Sequence, residues 1–245
     1  MNKLKPIYVF LILISALCLQ AQNNQTFVSD LVDPTSANFS LIYGTEKIKG
    51  TPYYFEDWKK GEVLTTNGQK IAVDKMNIDV CSQKVVAVMN GKETWLNNAT
   101  VIAVSIEEKV GMQAFSFIKT QNDKDEIVYA KIIAEGDYSV LGFPSKKFKK
   151  PQRLDDYNYG SRDVKSPFFT KLDMDYYLTY LNDDKEKIKL KNKDLEKKIQ
   201  KKHQRLYKSV SKKADIDIKT EEDMAKFLEI FNKEVNQKDI NTSQN

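Results

Sequence analysis

The sequence predicts an α+β fold: an antiparallel, curved β-meander followed by a further hairpin and two C-terminal helices. The dipeptide Asn-Gly recurs between short, alternating apolar segments, at Asn67-Gly68 and at Asn90-Gly91. Both residue types tolerate the positive φ that a two-residue hairpin turn requires. Nearer the C-terminus, apolar residues recur every three or four positions, which is the period of a helix.

The meander is predicted to extend from Phe39 to about Val140, with a turn signal about every ten residues. The polar segment 121–125 is expected to connect its last two strands. The predicted strands are 62–66, 70–74, 77–80, 84–89, 93–96, 101–106, 112–119 and 126–134.

A proline- and lysine-rich segment, 144–171, is predicted to be a surface loop. The tyrosine-rich segment 172–181 and the segment 187–191 are predicted to form the further hairpin. A helix over 193–212 follows, with an apolar face formed by Leu195, Ile199, Leu206 and Val210. Thr220 and Asp223 resemble a capping box that begins a second helix, predicted to extend to Val235.

These patterns divide the chain into five parts. They are a leader at 1–21, a β-rich domain at 22–143, a linker at 144–171, a C-terminal region at 172–238 and a disordered tail at 239–245.

The N-terminus has the pattern of a secretory signal peptide. Lys3 and Lys5 precede the apolar run 7–19, and cleavage is predicted near Ala21. The run is shorter than the about 20 residues that span a bilayer. Two alternatives stay open: lipid attachment at Cys18, which the large Leu17 before it disfavours, and an uncleaved anchor.

Cysteine content narrows the expected location. Without the leader, Cys81 is the only cysteine, so no internal disulfide can form. A secreted domain without disulfides is more typical of bacteria than of an animal extracellular space. We therefore expect an exported protein of a bacterial periplasm or cell envelope.

The segment 185–213 contains 13 lysines or arginines and three acidic residues, in a chain of net charge +5. Such a surface can contact anionic lipid or lipopolysaccharide phosphates. The alternative is a solvated helix face whose charge balances the acidic tail, which is the segment from Ala214 onward. No nucleic acid is expected, because no aromatic residues interleave with the charges to stack on bases. The candidate contacts are Lys197, Lys198, Lys201, Lys202 and Arg205.

The densest aromatic segment is 53–58. Aromatic side chains on a sheet can stack on sugars or peptides, or they can form strand core. The candidate contacts for a ligand or partner are Tyr53, Tyr54 and Trp58.

No catalytic or cofactor motif is present. His203 is the only histidine, which excludes a multi-histidine metal site. The chain also lacks a glycine-rich phosphate loop and a dinucleotide fingerprint. The predicted function is a non-enzymatic binding or interaction module for an envelope protein or glycan, without a cofactor. The alternative is an exported hydrolase that acts on cell-wall or glycan material through carboxylates that the sequence does not identify.

Four short motifs follow one another along the β-rich part of the chain. They are Gly50-Thr51-Pro52-Tyr53, Trp58-x-x-Gly61-x-Val63, Asn67-Gly68 and Asn77-Ile78-Asp79-Val80. In this order they resemble the opening of uncharacterised secreted proteins of Bacteroidota. That resemblance implies a periplasmic or envelope location, and it carries no known activity and no site residues.

Overall fold

The computed structural model describes residues 31, 47–107, 114–150, 166–181 and 185–243. Ten of the strands form one antiparallel sheet, and helices follow it in the C-terminal region. The predicted α+β class is therefore confirmed. The predicted leader, and the start of the predicted meander at Phe39, lie outside the described residues.

The strands are β1 (Lys59–Thr65), β2 (Lys70–Asp79), β3 (Lys84–Met89), β4 (Lys92–Trp95), β5 (Val101–Ile106), β6 (Phe115–Gln121), β7 (Ile127–Ala134), β8 (Tyr138–Ser145), β9 (Phe148–Lys149), β10 (Phe168–Phe169), β11 (Asp173–Tyr180) and β12 (Glu186–Ile188). The predicted linker contributes the end of β8 and the separate two-stranded sheet of β9 and β10. Within that linker, residues 151–165 lie outside the described residues.

The strand order in the large sheet is β12-β11-β8-β7-β6-β5-β1-β2-β3-β4. From β1 in the interior of the sheet, the chain advances by hairpins to the edge at β4. It then returns to the other side of β1 with β5 and advances to the opposite edge at β12. The predicted meander is thus two meanders joined along β1 and β5, and the further hairpin, β11–β12, extends the same sheet.

Both Asn-Gly dipeptides form the predicted hairpin turns. Asn90 and Gly91 have φ of 52° and 75°, as a turn with two left-handed residues requires. In the first turn only Gly68 has a positive φ, of 80°. There the Asn67 side chain accepts hydrogen bonds from the Thr65 hydroxyl and the Gln69 amide, so this asparagine stabilises the turn through its side chain.

Gly61 allows β1 to approach its neighbours closely. A Cβ atom at this position would lie 2.3 Å from the carbonyl oxygen of Ser105 in β5 and 2.6 Å from Sδ of Met76 in β2. No side chain fits in that space, so the junction between the two meanders requires glycine at this position.

Three helices follow β12: α1 (Asn192–Lys198), α2 (Gln204–Ala214) and α3 (Glu221–Ser243). The single helix predicted over 193–212 is therefore two helices, separated by a 3-10 turn at Lys201–His203. Ile199 and Gln200 are extended, with ψ of 134° and 142°. Tertiary contacts hold this break, because Ile199 is buried and the Gln200 amide donates to the Tyr138 hydroxyl.

The capping box at the start of α3 is confirmed. The Asp223 amide donates to Thr220 Oγ1 at 3.1 Å, and Asp223 Oδ2 accepts from the Thr220 amide at 2.9 Å. Backbone and side-chain hydrogen bonds from Lys219 and Thr220 lower the pKa of Asp223. The helix continues to Ser243, into the segment predicted to be a disordered tail. Among the described residues, no helix has the length and apolar content to cross a bilayer.

One face of the sheet carries two adjacent core clusters. The helices cover the first, which includes Tyr138, Leu178 and Phe231. The second lies over β1 to β6 and includes Val104 and Phe117, with Leu31 inserted into it.

Lys131 lies on this face between the two clusters, directly opposite Phe117 on the neighbouring strand. Its Nζ is 2.6 Å from Glu221 Oε2, at the first residue of α3, and 3.9 Å from the centroid of the Phe115 ring. The Tyr176 hydroxyl donates to the other oxygen of Glu221 at 3.0 Å. This ion pair therefore fixes the start of α3 against the sheet.

Asn232 of α3 is buried and joins the helix to the β7–β8 turn. Its Oδ1 accepts from the Tyr138 amide at 2.9 Å, and its Nδ2 donates to the carbonyl oxygens of Tyr138 and Glu135 at 2.9 and 3.2 Å. Gly136 makes room for it, since a Cβ there would lie 2.3 Å from Asn232 Nδ2. One amide side chain thus forms hydrogen bonds with backbone groups that strand pairing does not satisfy.

We expect Gly61→Ala to lower the free energy of unfolding by at least about 2 kcal/mol, because the new methyl group would meet a backbone oxygen that cannot move away. Urea denaturation measures the change. The control is Gly68→Ala, where φ is positive but the space is open, and the cost is expected to be about 1 kcal/mol. An equal or smaller loss at Gly61 would contradict the role of close strand approach.

Asn232→Ala is expected to destabilise the fold by about 2–4 kcal/mol, because it leaves buried groups of Tyr138 unsatisfied. Asn236→Ala, one turn later on the exposed side of the same helix, is the matched control and should change stability by less than about 0.5 kcal/mol. Thermal or urea unfolding of both variants measures the two losses of stability. Similar losses in the two variants would mean that only helix propensity matters.

Candidate functional site

An open groove of about 800 Å³ lies toward the β12 edge of the sheet, between the β6–β7 loop and the end of α1. The loop between β6 and β7 forms one wall, and β8 and β11 form the floor. Lys185 and Glu186 at the start of β12, with Lys198 and Gln200 at the end of α1, form the other wall.

The sheet curls around this groove. Lys185 precedes β12, yet its Nζ donates to Thr120 Oγ1 at 2.8 Å and to the carbonyl oxygen of Gln121. Both acceptors belong to β6, four strands away in the sheet order. The Lys185 ammonium also lies 5.5 Å from the centroid of the Phe143 ring, and burial lowers its pKa.

The floor of the groove is a small aromatic cluster. Phe143 and Tyr177 meet edge to face, with ring centroids 4.9 Å apart, and pack against Val128 and Ala130. Burial raises the pKa of the Tyr177 hydroxyl, and the nearby negative charge of Asp123 raises it further. The hydroxyl is therefore neutral and polar at the base of the groove.

Charges of both signs line the rim. Asp123, Asp125 and Glu186 are exposed carboxylates. Lys198 Nζ lies 2.7 Å from Glu186 Oε2, and this hydrogen bond raises the pKa of Lys198. The groove thus presents hydrogen-bond donors and acceptors with little net charge.

The five basic residues predicted as contacts divide into two groups. Lys198 lines the groove, and Lys202 Nζ lies 5.1 Å from the centroid of Tyr180, another lining residue. The other three are exposed on the outer side of the helical segment: Lys197, Lys201 and Arg205.

The aromatic residues predicted as contacts are all half-buried, and none of them lines the groove. The rings of Tyr53 and Trp58 are 5.3 Å apart, and the Tyr53 hydroxyl donates to Glu93 Oε2 at 2.6 Å. Tyr54 packs edge to face on the buried Phe117 at 5.0 Å. Tyr54 therefore packs against the core, and a ligand contact at Tyr53, Tyr54 and Trp58 stays a prediction.

The sequence did not identify the residues that shape the groove. In the sequence, Tyr177 was notable only as part of a tyrosine-rich strand, and no sequence pattern pointed to Phe143. Lys185 meets Thr120 across 65 positions of sequence, and no local pattern reports such a contact.

His203 and Cys81 occupy structural positions. His203 is 1% exposed, and its Nδ1 is 2.9 Å from the Tyr138 hydroxyl, within the helical core. Cys81 is half-buried, and its Sγ donates to the carbonyl oxygen of Lys146 at 3.4 Å. Within the described ranges, no three His, Cys, Asp or Glu side chains gather in a way that could hold a metal ion.

No protein-family description, no curated protein and no solved structure matches this chain. The resemblance to secreted proteins of Bacteroidota therefore stays a prediction, and the function has to be argued from the groove and the surface.

We expect Lys185→Ala to release β12 from β6 and to widen the groove, because the side chain is the contact that joins these strands. Hydrogen exchange should become faster at residues 121–126, with little change in global stability. Lys187→Ala is the control, since Lys187 makes only an exposed ion pair with Asp175 at 2.7 Å. Equal exchange in both variants would show that the curl does not depend on Lys185.

Proposed function

We propose that this protein is an exported, non-enzymatic binding module of a bacterial envelope, and that the groove binds a glycan. The observation that carries the proposal is the groove itself. Its volume of about 800 Å³ falls within the range typical of small-molecule sites.

The chemistry of the lining favours a polyhydroxylated ligand. Gln121, Asn122 and Gln200 offer amide groups, and carboxylates and ammonium groups both line the groove. Sugar hydroxyls both donate and accept hydrogen bonds, so they can use all of these groups. An ionic ligand would gain less, because Glu186 and Lys198 already neutralise each other.

The location is part of the same proposal. The leader pattern at the N-terminus and the absence of a second cysteine in the mature sequence support export to a bacterial envelope. Glycans are abundant polymers in that compartment, and the groove is open enough for a chain segment to enter from its side.

Glycan hydrolysis is the second candidate, because three carboxylates line the groove, at Asp123, Asp125 and Glu186. A glycosidase needs one carboxylic acid that stays protonated near neutral pH, usually by burial in an apolar pocket. All three carboxylates are exposed, which favours binding over catalysis.

The test is binding of peptidoglycan fragments and neutral oligosaccharides to the purified protein, followed by NMR chemical-shift perturbation. We expect shifts at the groove residues and at least a tenfold loss of affinity in the double variant Asp123→Ala, Gln200→Ala, which corresponds to about 1.4 kcal/mol. The matched control is Asp74→Ala with Gln69→Ala, in the other half of the sheet.

Three other outcomes would count against the proposal. Failure of every glycan to bind, or equal binding by both double variants, would remove the groove as a glycan site. Release of shorter products from the same fragments, lost in Asp123→Asn, Asp125→Asn or Glu186→Gln, would favour the hydrolase.

A further inference from the structure

The outer face of α1 and α2 carries a line of cations, at Lys193, Lys197, Lys201, Arg205, Lys208 and Lys212. All six are exposed. The opposite, inner side of the same segment is a buried stripe of Leu195, Ile199, His203, Tyr207 and Val210. Exposed cations and buried side chains thus recur at a spacing of three or four residues on both sides of the break between the helices.

Local helix energetics accounts for only part of this face, because Lys197 and Lys212 lie in the last turns of α1 and α2, where positive side chains are favoured. A helix N-terminus favours negative side chains and disfavours positive ones. α3 follows that rule and begins with Glu221, Glu222 and Asp223. α2 has no acidic residue in its first turn and carries Arg205 there. Lys208 and Lys212 then repel each other one turn apart.

Neighbouring carboxylates neutralise little of this charge. Lys208 Nζ is 3.6 Å from Glu196, and Lys213, beside the line, is 3.9 Å from Glu234. Within the part of the chain that the structure describes, no ion pair joins Lys193, Lys197 or Lys201 to a carboxylate. The acidic tail therefore balances only the end of the basic face.

We propose that this basic face docks on an anionic lipid surface by binding the headgroup phosphates. Charge complementarity carries the inference, because a polyanion would reduce the mutual repulsion of cations that the chain's own carboxylates neutralise only in part. In the described residues of α1 and α2, no large apolar side chain is exposed. The contact is therefore electrostatic, without insertion into the acyl region, and it uses none of the residues that line the groove.

The structure also changes which lysines take part. Lys198 and Lys202 were predicted as contacts from their position in the basic segment, but Lys198 is paired with Glu186 and Lys202 lies over Tyr180. Lys193 and Lys212 were not singled out, and both belong to the exposed line. The proposed docking residues thus include two, Lys193 and Lys212, that charge density along the sequence did not single out.

The test is co-sedimentation of the purified protein with phosphatidylcholine vesicles that contain phosphatidylglycerol, compared with vesicles of phosphatidylcholine alone. We expect binding only to the anionic vesicles, and a steep loss of binding as salt rises. Each cation near such a surface raises affinity about fivefold. The variant K193Q/K197Q/K201Q/R205Q should therefore lose affinity by more than about 100-fold.

The matched control is K70Q/K75Q/K92Q/K124Q, which removes the same charge from exposed positions of β2, β4 and the β6–β7 loop. It should retain binding within about threefold, since distant charges are screened. A second variant, K197Q/R205Q, provides the test if the quadruple variant does not fold. Its affinity for anionic vesicles should fall about twentyfold by the same per-charge effect. Circular dichroism checks that each variant keeps the fold.

Three results would overturn the proposal. They are no binding of the wild-type protein to anionic vesicles, equal losses in the two quadruple variants, and tighter binding to heparin than to vesicles at equal anionic charge. The last would identify a soluble polyanion as the partner. Glycan binding can be measured in the same variants as an independent property, because none of the substituted residues lines the groove.

Discussion

The ladder between β1 and β5 is the constraint on which the rest of the structure depends. It joins the meander that ends at β4 to the meander that ends at β12. Without this strand pair, no backbone pairing in the sheet would connect the two halves. Gly61 is the residue that permits this junction, since any Cβ would collide with the backbone of Ser105. Because antiparallel pairing transmits register from strand to strand, this contact also determines which side chains face the helices and which face the groove.

Buried polar side chains then attach the remaining segments to that sheet. Asn232 bonds to backbone groups of Tyr138 in the β7–β8 turn, and Lys131 pairs with Glu221 at the start of α3. Burying such groups is favourable only when each polar atom finds a partner, so these contacts specify one position for the helix. The helix in turn covers one face of β7 and β8, and the groove forms toward the β12 edge, where the sheet curls.

The two proposed contact surfaces follow from this arrangement. The groove lies within the curl held by Lys185, and its charges of both signs suit a neutral, hydrogen-bonding ligand. The basic face lies on the outer side of α1 and α2 and suits a phosphate-rich surface. A protein that docks by one surface and binds through another can hold a glycan close to a membrane. Because the surfaces share no residue, each can be removed without the other.

The sequence by itself determined the elements whose signals are local. The turn at Asn90, the capping box at Thr220 and the apolar stripe of α3 all depend on residues within one or two turns of each other, and all were predicted. The break after Ile199 was not predicted, because the Tyr138 hydroxyl that holds it is 62 positions away from its partner. The groove was missed for the same reason. Curling of the sheet depends on contacts between residues far apart in sequence, and only the tertiary structure brings them together.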